Sequence, residues 1–162
     1  MKSAVSCRSQ ALRLLKFRPR TEGELRDRLL RKGCPLQEIE AVLAEFRQKG
    51  LVDDAKFARL FVAQSALSKP VGRRMLLSKL RGKGVAPELA DAAVAGGTRP
   101  EDELETARQL AAGRLERMKG LERAAVERRL FGFLSRRGFS GDAVYKVIRE
   151  IRDAAHSSTS SE

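Results

Sequence analysis

Six cations, Lys69, Arg73, Arg74, Lys79, Arg81 and Lys83, fall within the stretch KPVGRRMLLSKLRGKG (69–84), which holds no acid. Arginine and lysine so concentrated can hold phosphate oxygens and release condensed counterions, the chemistry of sequence-blind polyanion binding. The competing reading is a solvated helix face, and the absence of any acid weighs against it. A second basic cluster comprises Arg18, Arg20, Arg26, Arg28, Arg31 and Lys32, offset in part by Glu22, Glu24 and Asp27. A third comprises Arg128, Arg129, Arg136 and Arg137. In sequence no aromatic platform accompanies any of the three, which argues against base stacking.

Other chemistries find no support. The sole histidine, His156, lies in the polar stretch HSSTSSE, and no Cys/His cluster has metal-ligand spacing. Neither a GxxxxGK[ST] phosphate loop nor a GxSxG elbow is present, and Asp53–Asp54 reads as helix-start charge. Cys7 and Cys34, the only cysteines, form no disulfide framework or zinc site, and Cys34 should pack as a small apolar residue. The expectation is a binding protein without a catalytic site, metal or cofactor.

The whole chain supports that bias. Its 162 residues carry 33 Lys plus Arg against 21 Asp plus Glu, a formal charge of +12, which attracts polyanions. The excess is uneven: net +5 over 8–52, +6 over 55–97 and only +2 over 101–153. No apolar run approaches the length of a membrane span, and MKSAVSCRSQ lacks a signal-peptide core, so a cytoplasmic protein is expected.

The elements that position these cations follow from a hidden repeat. Gly33, Gly84 and Gly138 each follow a basic residue, 51 and 54 residues apart. Leucines stand four positions before each glycine (Leu29, Leu80, Leu134) and eight before it (Leu25, Leu76, Leu130). Apolar residues stand one after (Cys34, Val85, Phe139) and ten after (Leu43, Val94, Ile148). Spacings of four and eight put the leucines on one helical face, and the glycine suits a left-handed C-terminal turn. A second helix then starts, with Pro87 in its first turn in the second copy and Ser140 as its cap in the third.

An upstream helix completes each copy. These run over 9–17 with Leu12 and Leu15 inward, 54–67 with Asp53 as N-cap and Phe57, Phe61 and Val62 inward, and 101–118 with Ala107, Leu110 and Leu115 inward. Thr21 and Glu24 have capping-box spacing. No segment alternates with period two, so no sheet is expected. The predicted fold is all-α: a flexible N-terminus (1–8), three-helix repeats over 9–52, 53–97 and 98–153, and a disordered Ser-rich tail (154–162).

RPRTEGELRDRLLRKG (18–33), GLVDDAKFARLFV (50–62), GRRMLLSKLRGKGV (72–85) and LFGFLSRRGFSGDAVYKVI (130–148) together resemble the ordered motifs of the RecX family of recombination regulators. The likeness covers roughly 9–152 and is strongest in the GL-x-DD-x-x-FA pattern of Gly50–Val62. It implies tandem three-helix units in an elongated, curved array. It further implies a cytoplasmic monomer that binds the RecA filament on single-stranded DNA and inhibits ATP hydrolysis and strand exchange, modulating recombination and repair. The resemblance brings no catalytic residue and fixes no binding residue, so the site residues rest on charge. A second reading makes 73–95 a helix-turn-helix of a stand-alone DNA-binding protein, although its second helix, 87–95, offers no Asn or Gln for base contacts.

Overall fold

The computed structural model describes residues 6–159, the side chains of 155–159 apart. Among these residues it contains helices and no strand. The helices are α1 (Cys7–Phe17), α2 (Glu22–Arg31), α3 (Leu36–Gln48), α4 (Asp54–Ser68), α5 (Arg73–Gly82), α6 (Pro87–Gly97), α7 (Pro100–Leu115), α8 (Arg123–Arg136) and α9 (Gly141–Thr159), with a 3-10 turn at Glu116–Met118. In chain order they form three groups of three, as the repeat predicts.

The repeated basic-Gly signature is a helix-ending motif used three times. Gly33, Gly84 and Gly138 have φ of 80°, 78° and 79°, a conformation in which a Cβ would be strained. In each case the next residue's N–H returns to the leucine carbonyl five positions back. Cys34 donates to Leu29 at 3.1 Å, Val85 to Leu80 at 3.1 Å and Phe139 to Leu134 at 3.3 Å. Gly33, Gly84 and Gly138 donate to Leu30, Arg81 and Ser135. These are Schellman turns, and the leucine and the apolar residue that the motif brings together are buried in all three.

By compactness the chain divides into two units, Met1–Phe61 with Lys79–Ala93, and Val62–Ser78 with Val94–Glu162. The middle group of helices contributes to both. The first unit is built on Cys7, Ala11, Leu25, Leu29, Cys34, Ile39, Val42, Leu43, Phe46 and Val52, with Leu14 and Leu15 packed against them. Leu12, expected inward, is 37% exposed. The inward stripe of α1 is instead set by Cys7, Ala11, Leu14 and Leu15, which spaces it by four, seven and eight. The second unit is built on Ala107, Ala111, Met118, Leu130, Leu134, Phe139, Val144 and Val147, with Leu110 and Leu115 among the partly buried residues around them. Val62 is fully buried, whereas Phe57 and Phe61 are only partly so. These two rings stack at 6.3 Å, with the Lys83 ammonium 5.9 and 5.8 Å from their centroids.

The caps follow their sequence signals. Thr21 Oγ1 accepts from the Glu24 N–H at 3.0 Å, Asp53 Oδ1 from Lys56 at 2.8 Å and Ser140 Oγ from Ala143 at 3.3 Å. The first helix begins at Cys7, two residues before expectation, because Ser6 caps it by accepting from Ser9 at 3.2 Å. At the other end α9 continues to Thr159, so the backbone of 154–159 is helical where a disordered tail was expected. The remainder of both expected flexible ends, residues 1–5 and 160–162, lies outside the described residues.

Candidate nucleic-acid interface

The six cations of 69–84 have unequal duties. Arg73 donates from Nη1 to the Thr98 carbonyl at 2.5 Å, which anchors it in the second unit. Lys83 pairs with Glu24 at 3.1 Å, beside the Phe57 and Phe61 rings. Arg81 lies 3.5 Å from Asp91. Lys69, Arg74 and Lys79 are exposed and have no charged partner among the described residues. The cluster is therefore half structural. Lys69, Arg73 and Arg74 belong to the second unit, and Lys79, Arg81 and Lys83 to the first.

The second cluster divides likewise. Arg18 pairs with Glu24 at 2.9 Å and Arg26 with Glu40 at 2.6 Å. Arg20 donates to the Leu14 carbonyl at 3.2 Å, and burial, helped by the charges of Arg18 and Arg28, pushes its pKa down. Burial opposes ionisation of Glu24, yet Arg18 and Lys83 together hold its carboxyl below the usual range. Arg28, Arg31 and Lys32 remain exposed without a charged partner among the described residues.

The third cluster brings three of its members into one concave site. Arg128, Arg129 and Arg136 line a cavity of about 550 Å³ with Gly132, Phe133 and Met118, joined by Arg114 from α7 and Arg117 from the 3-10 turn. The α8 members lie at spacings of one, four, five and eight, which is one helical face. None of the five guanidiniums has a carboxylate partner among the described residues, and no carboxylate lines the cavity. Phe133 is half-buried under two guanidiniums, with Arg114 at 5.2 Å and Arg137 at 5.0 Å from its ring centroid. Arg137, counted with this cluster from sequence, instead donates to the Pro70 carbonyl at 3.2 Å.

Two features of this region escape a linear reading. Arg114 and Arg117 stand 11 residues or more before Arg128 and carry no pattern that ties them to it. An aromatic pair does accompany the arginines, contrary to the sequence expectation. Phe131 and Tyr145 are 56% and 66% exposed. They line a neighbouring cavity of about 340 Å³ with Ile148, Arg149 and Arg128, so that Arg128 borders both cavities. The pair forms only when α8 and α9 pack together, and residues 14 apart share no local periodicity.

Glu103 is a further residue that no local sequence pattern singles out. The residue is 3% exposed. It accepts from the Arg73 N–H at 2.9 Å, the Ser140 N–H at 3.2 Å and the Ser140 hydroxyl at 2.9 Å. One carboxylate thus serves the N-terminal ends of α5 and α9, where the helix dipole favours negative charge. This is a structural role, with all its donors accounted for.

Among the described residues, no group of three or more His, Cys, Asp or Glu is placed to hold a metal, and no helix is long and apolar enough to cross a membrane.

Comparison with known proteins agrees with this architecture. Residues 7–46, 53–94 and 101–148 match the first, second and third three-helix domains of RecX. The chain is 42% identical over 147 residues to the regulatory protein RecX of Thermobifida fusca, covering 91% of this chain and 79% of that one. It is 39% identical over 143 residues to the regulatory protein RecX of Streptomyces lividans, covering 88% and 76%. A crystal structure of RecX from Lactobacillus salivarius superimposes with a TM-score of 0.81 at 21% identity, covering 90% of this chain and 94% of that one. A second crystal structure, of a regulatory protein RecX, gives a TM-score of 0.81 at 27% identity, covering 89% and 71%. With three domain models covering most of its length in order, the chain belongs to the RecX family of regulatory proteins.

Proposed function

We propose that this chain regulates the RecA recombinase by binding its filament on single-stranded DNA, where it lowers ATP hydrolysis and strand exchange. It acts in the cytoplasm as a monomer, without catalysis or cofactor. Family membership supports a regulatory role, and the observation that favours a nucleoprotein target is the cavity lined by Arg114, Arg117, Arg128, Arg129 and Arg136. Five unpaired guanidiniums repel one another, and in water this costs the folded state unless an anion is bound. Their planar forks match phosphate oxygens two at a time.

The stand-alone helix-turn-helix reading is less well supported. The 73–95 pair turns at Gly84 in the same way as the pairs that turn at Gly33 and Gly138, which marks it as a packing unit.

The test is RecA-dependent ATP hydrolysis on single-stranded DNA, with the chain added at and below one per several RecA subunits. Inhibition at that ratio is expected. Unchanged hydrolysis at one chain per RecA would remove the proposal.

A further inference from the structure

We propose that the third domain carries a complete binding site for unpaired nucleic acid, in which the arginine-lined cavity holds phosphates and Phe131 and Tyr145 stack bases. This deepens the filament reading by naming the contact made to the strand itself.

Three observations carry it. First, Arg128 lines both cavities, so the two share one guanidinium-bearing side chain. A backbone seated against the guanidiniums can therefore present its bases to the ring pair next door. Second, every cation lining the phosphate side is an arginine. A surface that needed only solubility could use lysine, whereas bidentate capture of phosphate oxygens needs the guanidinium fork. Third, Phe133 is already covered by Arg114 and Arg137 and packed in the core, so it offers no free platform. Phe131 and Tyr145 are the exposed pair, and they line the second cavity with Ile148, Arg128, Arg149 and the ion-paired Glu127 and Arg152. Exposed aromatics grouped beside unpaired arginines fit a strand whose bases have π-faces to cover. A duplex keeps its bases stacked internally and cannot use the rings. An acidic peptide would use the charge and gain nothing from stacking on both rings in succession.

The chain itself provides the reporter. Tyr145 is its only tyrosine, and there is no tryptophan, so intrinsic emission comes from this one position. The experiment uses the full chain and no recombinase, so that its failure is separable from failure of the filament reading. A labelled oligothymidylate, an abasic strand of equal length and a duplex are titrated by anisotropy, with Tyr145 emission followed in parallel. Oligothymidylate should quench Tyr145 and bind roughly tenfold or more tighter than the abasic strand. Phe131→Ala should remove most of that tenfold advantage while leaving abasic binding unchanged. Arg128→Ala with Arg129→Ala should weaken both strands and lower the salt dependence. Phe131 and Tyr145 are largely exposed, so circular dichroism of Phe131→Ala should match the parent. Equal binding of oligothymidylate, abasic strand and duplex, with no quenching, would overturn the stacking site. So would quenching that survives Phe131→Ala with affinity intact. If either occurred while inhibition of RecA persisted, filament binding would run through protein surfaces instead.

Discussion

Gly23 and Gly84 approach so closely that a Cβ built on Gly23 would stand 2.7 Å from the Gly84 Cα. Around this contact the Thr21 hydroxyl donates to the Lys83 carbonyl, and Lys83 reaches Glu24. The start of α2 therefore rests on the Schellman turn that ends α5. The second unit repeats the arrangement, with Gly72 donating to the Arg137 carbonyl at 2.9 Å and Arg74 to the Gly138 carbonyl at 3.0 Å. The middle helix of one domain is seated on the helix-ending turn of the next.

Gly84→Ala should therefore cost more than a left-handed glycine normally does. The φ of 78° alone costs about 1–2 kcal/mol with a Cβ, and the contact with Gly23 adds to it. A total of roughly 2–4 kcal/mol is expected by urea denaturation. Gly33→Ala is the control, because its φ is 80° but nothing lies within 4 Å of its Cβ position. Equal losses at the two sites would show that the close approach has no energetic weight.

Removing Glu103 should loosen α5 and α9 together. Glu103→Ala leaves three donors without their acceptor and should destabilise by roughly 3 kcal/mol. Glu103→Gln keeps one acceptor oxygen and should cost less. Hydrogen exchange at Arg73 and Ser140 reads the effect directly, and protection that persists at both in Glu103→Ala would contradict the shared-cap assignment.

Glu45 should contribute an acid-labile tie between α1 and α3. Hydrogen bonds from Arg8 and then Lys49 hold its pKa down to about 2. A depressed folded pKa means that the stabilisation is present above the ordinary carboxylate range and is lost as pH falls from about 4.5 towards 2. Glu45→Gln should thus melt below the parent at neutral pH, with the two curves converging near pH 2. A gap that stays constant across that window would exclude the ion pair as its source.

Cys7 and Cys34 are both buried in the first unit. Burial, with the neighbouring Cys34, pushes the Cys7 thiol up to about 12. At pH 8 almost no Cys7 thiolate forms, and alkylation should be slow until the protein is unfolded. Prompt modification of Cys7 in the native chain would mean that this core opens readily.

Charge reversal separates the two kinds of cation in α5 and the turn that follows it. Arg74→Glu with Lys79→Glu should leave stability within about 0.5 kcal/mol, as exposed sites do, while weakening any polyanion binding through this helix. Arg73→Glu or Lys83→Glu should lower the melting temperature first, because each breaks a structural bond. If all four behave alike in melting, the division into structural and free cations fails.

Local chemistry accounts for what the sequence shows and for what it hides. Gly33, Gly84 and Gly138 could be aligned because a Schellman turn involves only six residues and repeats its own leucine. Thr21, Asp53 and Ser140 could be named as caps because their acceptors act within three positions. Glu103 could not, since its donors sit 30 and 37 residues away. Nor could Arg73 and Lys83 be told from Arg74 and Lys79, because tertiary partners decide which cation is occupied. Leu12 was misplaced for a related reason: a helix of 11 residues with Leu12, Leu14 and Leu15 admits more than one apolar stripe. The stripe used is fixed by the cores of α2 and α3. Among the arginines, the pairing of Phe131 with Tyr145 depends on how α8 meets α9.

The seating of the first two middle helices on a later turn has a consequence during synthesis. Thr21 leaves the ribosome 62 residues before its acceptor at Lys83, and Pro70 leaves 67 residues before Arg137. At about 5–20 residues per second those intervals last roughly 3–13 s, far longer than a helix needs to form. The first and second domains therefore wait with the foot of the middle helix unfinished until the successor emerges. A nascent chain stalled before Lys83 would hold a first domain that is folded in its core and open at one end.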